Sequence, residues 1–136
     1  MDMPKAHLNF LSGTQELSTL AGGSALGASA TFDGETHDCG RFVGTLPGPN
    51  PLPNAGRNSA AYFRAMASAD QSGTLNIQQS PDGENWFTTD TDAIAADFTK
   101  AVYLESKVVC RYVRCQLVNG ATAQTKVELD SALVSI

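Results

Sequence analysis

The amino-acid sequence predicts an all-β domain, an antiparallel β-sandwich of immunoglobulin-like or jelly-roll type with about eight strands. Three observations predict it. Short segments with period-two apolar alternation recur at roughly ten-residue intervals. Between them stand sets of turn-forming residues, Asp70-Gln71-Ser72-Gly73, Ser80-Pro81-Asp82-Gly83 and Asn119-Gly120. No stretch sustains a 3.6-residue apolar period; only Thr91 to Thr99, with Ala93, Ile94, Ala96 and Phe98, has spacing compatible with a helical turn. A chain of 136 residues reads as one domain, 1–136, long enough to bury a core without disulfides or a structural metal.

Taken in order, Ala6 to Leu11 alternates with Leu8 and Phe10 on one face, a first strand inside an N-terminal arm of about residues 1–12. The Gly-, Ser-, Ala- and Thr-rich run from Ser12 to Gly34 is too glycine-rich for a helix, and within it Ala28 to Phe32 alternates as a second strand. Residues 35–45 form a third, with Cys39 and Val43 on one parity and Gly40 and Gly44 favouring a bulge. Pro47, Pro49, Pro51 and Pro53 then remove alternate backbone donors, so 46–57 is a semi-rigid, polyproline-like loop. Five strands follow: Ala60 to Ser68, Thr74 to Gln79, Val102 to Ser106, Val109 to Val118 and Thr125 to Ile136. Asn119-Gly120 predicts that the last two form a hairpin with a lengthened loop. In Val109 to Val118, residues Val109, Val113, Cys115 and Leu117 share the inner face, and Tyr112 and Arg114 the outer one. The final strand carries Val127, Leu129 and Leu133 on one parity but Val134 and Ile136 on the other, which predicts a bulge or an end buried on both sides.

Nine Lys and Arg against 14 Asp and Glu give a net charge of -5, and the basic residues are dispersed. A nucleic-acid or anionic-membrane partner needs a positive patch, so neither is expected. No apolar run approaches the roughly 20 residues of a membrane-spanning helix, and Met-Asp-Met-Pro-Lys does not open a secretory signal, so synthesis in a cytoplasm without membrane insertion or signal-led export is the expectation. The three cysteines, Cys39, Cys110 and Cys115, are odd in number and irregular in spacing. They read as reduced, buried hydrophobes rather than a disulfide framework.

Candidate chemistry is sparse. His37 and Cys39 project from one face of a strand, the minimum for a Cys–His dyad, but no Gly-x-Ser-x-Gly elbow accompanies them. His37, Cys39, Cys110 and Cys115 are donors of zinc type, yet Cys110 and Cys115 on a regular strand point to opposite faces roughly 16 Å apart. Asp82, Glu84, Asp90, Asp92 and Asp97 offer oxygen ligands for calcium without an EF-hand pattern, and read as solvated turn carboxylates. Trp86, the sole tryptophan, opens a strand and is expected in the core, the alternative being a sugar-stacking ring on a loop. Arg111 and Arg114 flank Tyr112 and read as outer-face arginines. No catalytic residue, cofactor or metal site is assigned, and the chain is not expected to be an enzyme.

The run from Ala67 to Trp86 follows the pattern A-S-x-D-x-x-G-T-L-x-I-x-x-S-x-D-G-x-x-W, and Arg111 to Gly120 follows R-Y-V-R-V-x-x-x-N-G with Cys115 where a valine is common. Both resemble small β-sandwich structural proteins of tailed bacteriophages, including capsid cement or decoration proteins and some tail components. Together with the closing strand the matching pieces cover about half of the chain; the first 60 residues fall outside these patterns. The resemblance carries no catalytic residues. It implies a virion protein on the capsid outer surface, made in the host cytoplasm, that binds the major capsid protein and itself as a homodimer or homotrimer. The composition of arm and loop places the partner interface at Leu8, Phe10, Pro47, Pro49, Pro51, Leu52, Pro53 and Arg57. The competing expectation is a tail-fibre or baseplate module binding host-surface glycan or receptor through Trp86 and the loops around Asp82 and Asp90.

Overall fold

The computed structural model describes residues 9–40 and 61–135. Its strands are β1 (Asn9–Ser18), β2 (Thr31–Asp33), β3 (His37–Asp38), β4 (Ala61–Ala69), β5 (Gly73–Ser80), β6 (Phe87–Ile94), β7 (Val102–Lys107), β8 (Tyr112–Asn119) and β9 (Val127–Ser135). They form two antiparallel sheets, a four-stranded one in the order β1-β9-β4-β7 and a five-stranded one in the order β2-β8-β5-β6, with β3 also on β8. The all-β sandwich expected from the sequence is what the chain forms.

Period-two alternation builds the core. Ala61, Phe63, Ala65, Ala67 and Ala69 of β4, Leu75 and Ile77 of β5, Val113, Cys115 and Leu117 of β8, and Val127, Leu129 and Leu133 of β9 are all buried. At the end of β9 both Leu133 and Val134 are buried, so this end is covered on both sides. Between successive elements from β4 onward, only β5 and β6 return within one sheet as a hairpin; every other step crosses to the opposite sheet.

The expected hairpin between the last two strands is therefore corrected. β8 belongs to the five-stranded sheet and β9 to the four-stranded one, and Asn119-Gly120 starts a crossover. The reason lies in a side chain. Buried Asn119 donates through Nδ2 to the carbonyls of Gly27 (2.7 Å), Thr122 (3.0 Å) and Leu26 (3.3 Å), and its Oδ1 accepts from Gln124 Nε2 at 2.9 Å. Buried Gln124 in turn holds Gln71 by both its N–H (3.3 Å) and its carbonyl (3.2 Å). At the β7–β8 crossover buried Gln79 does the same, accepting from the N–H groups of Val109 (2.8 Å) and Cys110 (2.9 Å) and donating to the carbonyl of Lys107 (2.8 Å). These contacts hold Val109 in the connection before β8 begins, so it is 59% exposed instead of lying on the inner face.

Three further boundaries differ from the sequence reading. β1 continues to Ser18 because it pairs along β9, and two register shifts, Phe10/Ser12 and Gln15/Leu17, erase the alternation that would have revealed it. β2 is displaced to Thr31–Asp33, and of the strand expected over 35–45 the described residues show His37–Asp38 as β3; residues 41–45 and the expected loop 46–57 lie outside the described residues. Of the stretch Thr91 to Thr99, compatible with a helical turn, the first four residues belong to edge strand β6 (Phe87–Ile94) on β5 and the rest to the connection after it; β6 has a bulge opposite Ile77/Gln78, and an edge strand facing water need not show an apolar period.

Gly73 marks where two strands meet most closely, since a Cβ there would lie 2.8 Å from the carbonyl oxygen of Val118 on β8. Gly73→Ala is expected to destabilise the chain by about 1–3 kcal/mol through forced separation of β5 and β8. Urea denaturation followed by far-UV circular dichroism measures this; an unchanged midpoint would contradict the packing described.

Candidate functional site

On the outer face of the five-stranded sheet, alternation sets Asn76 and Gln78 of β5 beside Arg114 and Gln116 of β8, opposite in direction to buried Leu75, Ile77, Cys115 and Leu117. Strand register then aligns Asp33, Gln116, Asn76 and Thr91 in one row across β2, β8, β5 and β6. The row is a continuous hydrogen-bond chain. Thr91 Oγ1 donates to Asn76 Oδ1 (2.6 Å), Asn76 Nδ2 to Gln116 Oε1 (3.1 Å), and Gln116 Nε2 to Asp33 Oδ1 (2.9 Å), so each donor points toward a terminal carboxylate.

The neighbouring row is Arg114, Gln78 and Thr88. Arg114 Nε donates to Gln78 Oε1 at 3.0 Å, its Nη2 lies 3.6 Å from Asp33, and its guanidinium stacks over Trp86 with Cζ 4.1 Å from the ring centroid. Trp86 is thus corrected from a core residue to a half-buried ring on this outer face, held there by Arg114. The arginine expectation holds for both residues, since Arg111 is exposed, pairs with Asp38 (3.1 Å) and lies over Tyr112 (5.1 Å).

The turn that delivers Trp86 is built by Ser80 and Asp82. Asp82 Oδ1 accepts from the N–H groups of Glu84 and Asn85 (both 2.8 Å) and from Ser80 Oγ (2.9 Å), while Gly83 takes a φ of +79° against the Tyr112 ring. These donors hold the Asp82 carboxyl well below the usual carboxylate range, the Asn85 and Glu84 N–H groups contributing most. Asp70 works likewise at the β9 entrance, accepting from the N–H groups of Thr125 (2.9 Å) and Lys126 (3.0 Å) and from the Thr125 hydroxyl. The Asp, Gly, Ser and Asn positions of the two quoted motifs thus close turns and crossovers.

The remaining candidates are placed apart. His37 stacks on Phe63 with ring centroids 5.4 Å apart, its Nε2 has no hydrogen-bond partner among the described residues, and the Cys39 thiol donates to the His37 carbonyl at 3.8 Å and not to that nitrogen. Burial, and secondarily Asp38, pushes the Cys39 thiol up to about 11, and burial followed by Glu16 pushes Cys115 up further. Both are protonated thiols and weak nucleophiles near neutral pH. Cys110 is only half-buried. Among the described residues, no three His, Cys, Asp or Glu side chains converge as a metal-binding set. Leu8, Pro47, Pro49, Pro51, Leu52, Pro53 and Arg57 lie outside the described residues, and of Phe10 only the backbone is described, paired with Val134 on β1.

Residues 12–134 match the family profile described as "Uncharacterised protein YqxG N-terminal domain". The chain belongs to the YqxG_N family. No curated protein matches it. Among solved structures this YqxG_N chain resembles the PBSX exported protein XepA, at 21% identity and a TM-score of 0.66, over 90% of this chain and 37% of XepA. The likeness shows a shared fold, and the chain spans little more than a third of XepA's length. PirA is similar at 6% identity and a TM-score of 0.48, over 83% of this chain and 90% of that one. A chain from the disulfide-linked pili of Bacillus endospore appendages is similar at 7% identity and a TM-score of 0.49, over 99% of this chain and 94% of that one.

The outer-face rows were missed by reasoning from sequence, although the alternation of Asn76, Gln78, Arg114 and Gln116 with apolar neighbours was the signal for them. Thiol accessibility checks the site description. In the native protein, a thiol-specific disulfide reagent is expected to modify Cys110 and to reach Cys39 and Cys115 only after urea unfolding; rapid native labelling of either would contradict the burial described.

Proposed function

We propose that this chain is a bacteriophage virion structural protein, a capsid cement or decoration subunit that binds the outside of the head, as a homodimer or homotrimer, and stabilises contacts between major capsid proteins. The observation that carries the reading is the use made of the motif residues. Asp70, Gly73, Ser80, Asp82, Gly83 and Asn119 are engaged in turns, close strand contacts and crossovers, and the two buried thiols are protonated, so the chemistry of the chain is directed to a fixed scaffold with exposed sheet faces. The fold shared with the PBSX exported protein XepA is in keeping with that reading. Among the described residues β1 pairs with β9 alone, and strand addition along its other edge, beside the arm that carries Leu8 and Phe10, is the docking mode this reading uses. On a repeating lattice, an oligomer engaging several capsid subunits gains effective concentration from individually weak contacts.

A second reading, a tail-fibre or baseplate module that binds glycan, is favoured by one specific feature: Trp86 sits on the outer face beside a pre-aligned row of neutral amides and a carboxylate. Co-sedimentation with purified heads lacking the protein separates the two. Saturable binding at a fixed copy number, with heads made more resistant to heat, is the expected result. Absence of binding to heads, combined with quenching of Trp86 fluorescence by host-surface glycans, would overturn the cement reading in favour of the tail one.

A further inference from the structure

The outer face of the four-stranded sheet carries a cleft of about 460 Å³, within the roughly 300–1,000 Å³ typical of ligand sites. Register explains its shape. One cross-strand row runs Gly13, Ala132, Arg64, and the next runs Gln15, Asp130, Met66, Tyr103. Gly13 and Ala132 are small where their neighbours are long, so the sheet surface is depressed between β1 and β4 and walled by Met66 and Tyr103, which are 43% and 56% exposed.

The cleft is lined by one cation, Arg64, and one anion, Asp130, and only the cation has an ion-pair partner among the described residues. The guanidinium of Arg64 is taken by Glu105, with Nε 2.6 Å from Oε2. Asp130 has no ion-pair partner among the described residues; burial, then Glu128, then Glu16 raise its carboxyl above the usual value. Glu16 is itself committed to the Ser131 hydroxyl (2.7 Å) and the Glu35 N–H (2.9 Å). A cation entering from outside would meet Asp130, with Glu128 beside that carboxyl, and an aromatic ring and a thioether along its stem.

We propose that this cleft docks a lysine or arginine side chain presented by an extended segment of a partner protein, its charged head at Asp130 and its methylenes between Met66 and Tyr103. That the partner is another particle subunit rests on the function proposed above; the preference for a cation does not.

The test is NMR on the full chain with labelled methionine methyls, titrated with the blocked peptides acetyl-Ala-Arg-Ala-amide, its norleucine analogue and its glutamate analogue. The arginine peptide is expected to shift the Met66 methyl and the Tyr103 ring saturably, and the glutamate peptide to leave them unmoved. Asp130→Asn is expected to weaken the arginine response about fivefold, the scale of one partly exposed ion pair. Ala132→Leu, which fills the depression and leaves Asp130 in place, is expected to abolish it in a protein whose circular dichroism is unchanged. Equal shifts from arginine and norleucine peptides, no shift from any peptide, or shifts produced by raising protein concentration alone, which would mean a second copy occupies the cleft, would each overturn the proposal. Failure to bind heads would sink the cement reading while leaving the peptide result intact.

Discussion

The structure depends on how the chain satisfies its backbone where it changes sheets. From β4 onward four of the five connections cross the sandwich, and each brings peptide groups to the ends of the core, away from both ladders. A buried N–H or C=O left unpaired costs about 1–3 kcal/mol, against a total stability of about 5–15 kcal/mol for a typical domain. At three of the four, β4–β5, β7–β8 and β8–β9, buried side-chain amides supply the missing partners. Gln79 clasps Lys107, Val109 and Cys110, and Asn119 with Gln124 clasps Leu26, Gly27, Gln71 and Thr122. Amides suit this work because each offers an acceptor and two donors on one short stem, so one side chain can close a gap between strands and loop.

This arrangement separates scaffold from surface. The side chains that define the crossovers and turns point inward or along the backbone, leaving the two outer faces free to differ in chemistry. The five-stranded sheet presents a neutral amide row ending at Asp33 and an arginine-covered tryptophan. The four-stranded sheet presents a depression with Met66 and Tyr103 beside crowded carboxylates. A fold of this kind can keep its architecture while relatives diverge in sequence, as the 21% identity to XepA at a TM-score of 0.66 illustrates.

What could be read from the sequence followed from how directly a physical rule reaches the residue. The strands β4, β5, β7 and the body of β8 and β9 alternate because one face of each meets the core, and the Ser80–Gly83 turn has unambiguous chemistry. Two bulges break the period of β1 and hide its extent beyond Leu11, and the Thr- and Asp-rich edge strand β6 has no apolar period to set against the helix-compatible spacing of Thr91 to Thr99. The Asn119-Gly120 pair was read as a hairpin turn because local turn propensity says nothing of which sheet comes next; the deciding contact, Asn119 to Gly27, spans 92 residues. Trp86 was assigned to the core by its size, whereas its position is set by Arg114, a partner that only strand register identifies.

The account stands or falls on whether the buried amides hold the crossovers as firmly as the sheets themselves. Native-state hydrogen exchange, followed by NMR in increasing sub-denaturing urea, measures this at individual loop positions. The N–H groups of Val109, Cys110 and Gln71, though outside the strands, are predicted to exchange only through global unfolding, with the same urea dependence as Ile77 and Leu117 in the core. Exchange of these three at the rate of the exposed Ala95 and Ala96 amides would show that the crossovers open independently of the sandwich, and would contradict the account.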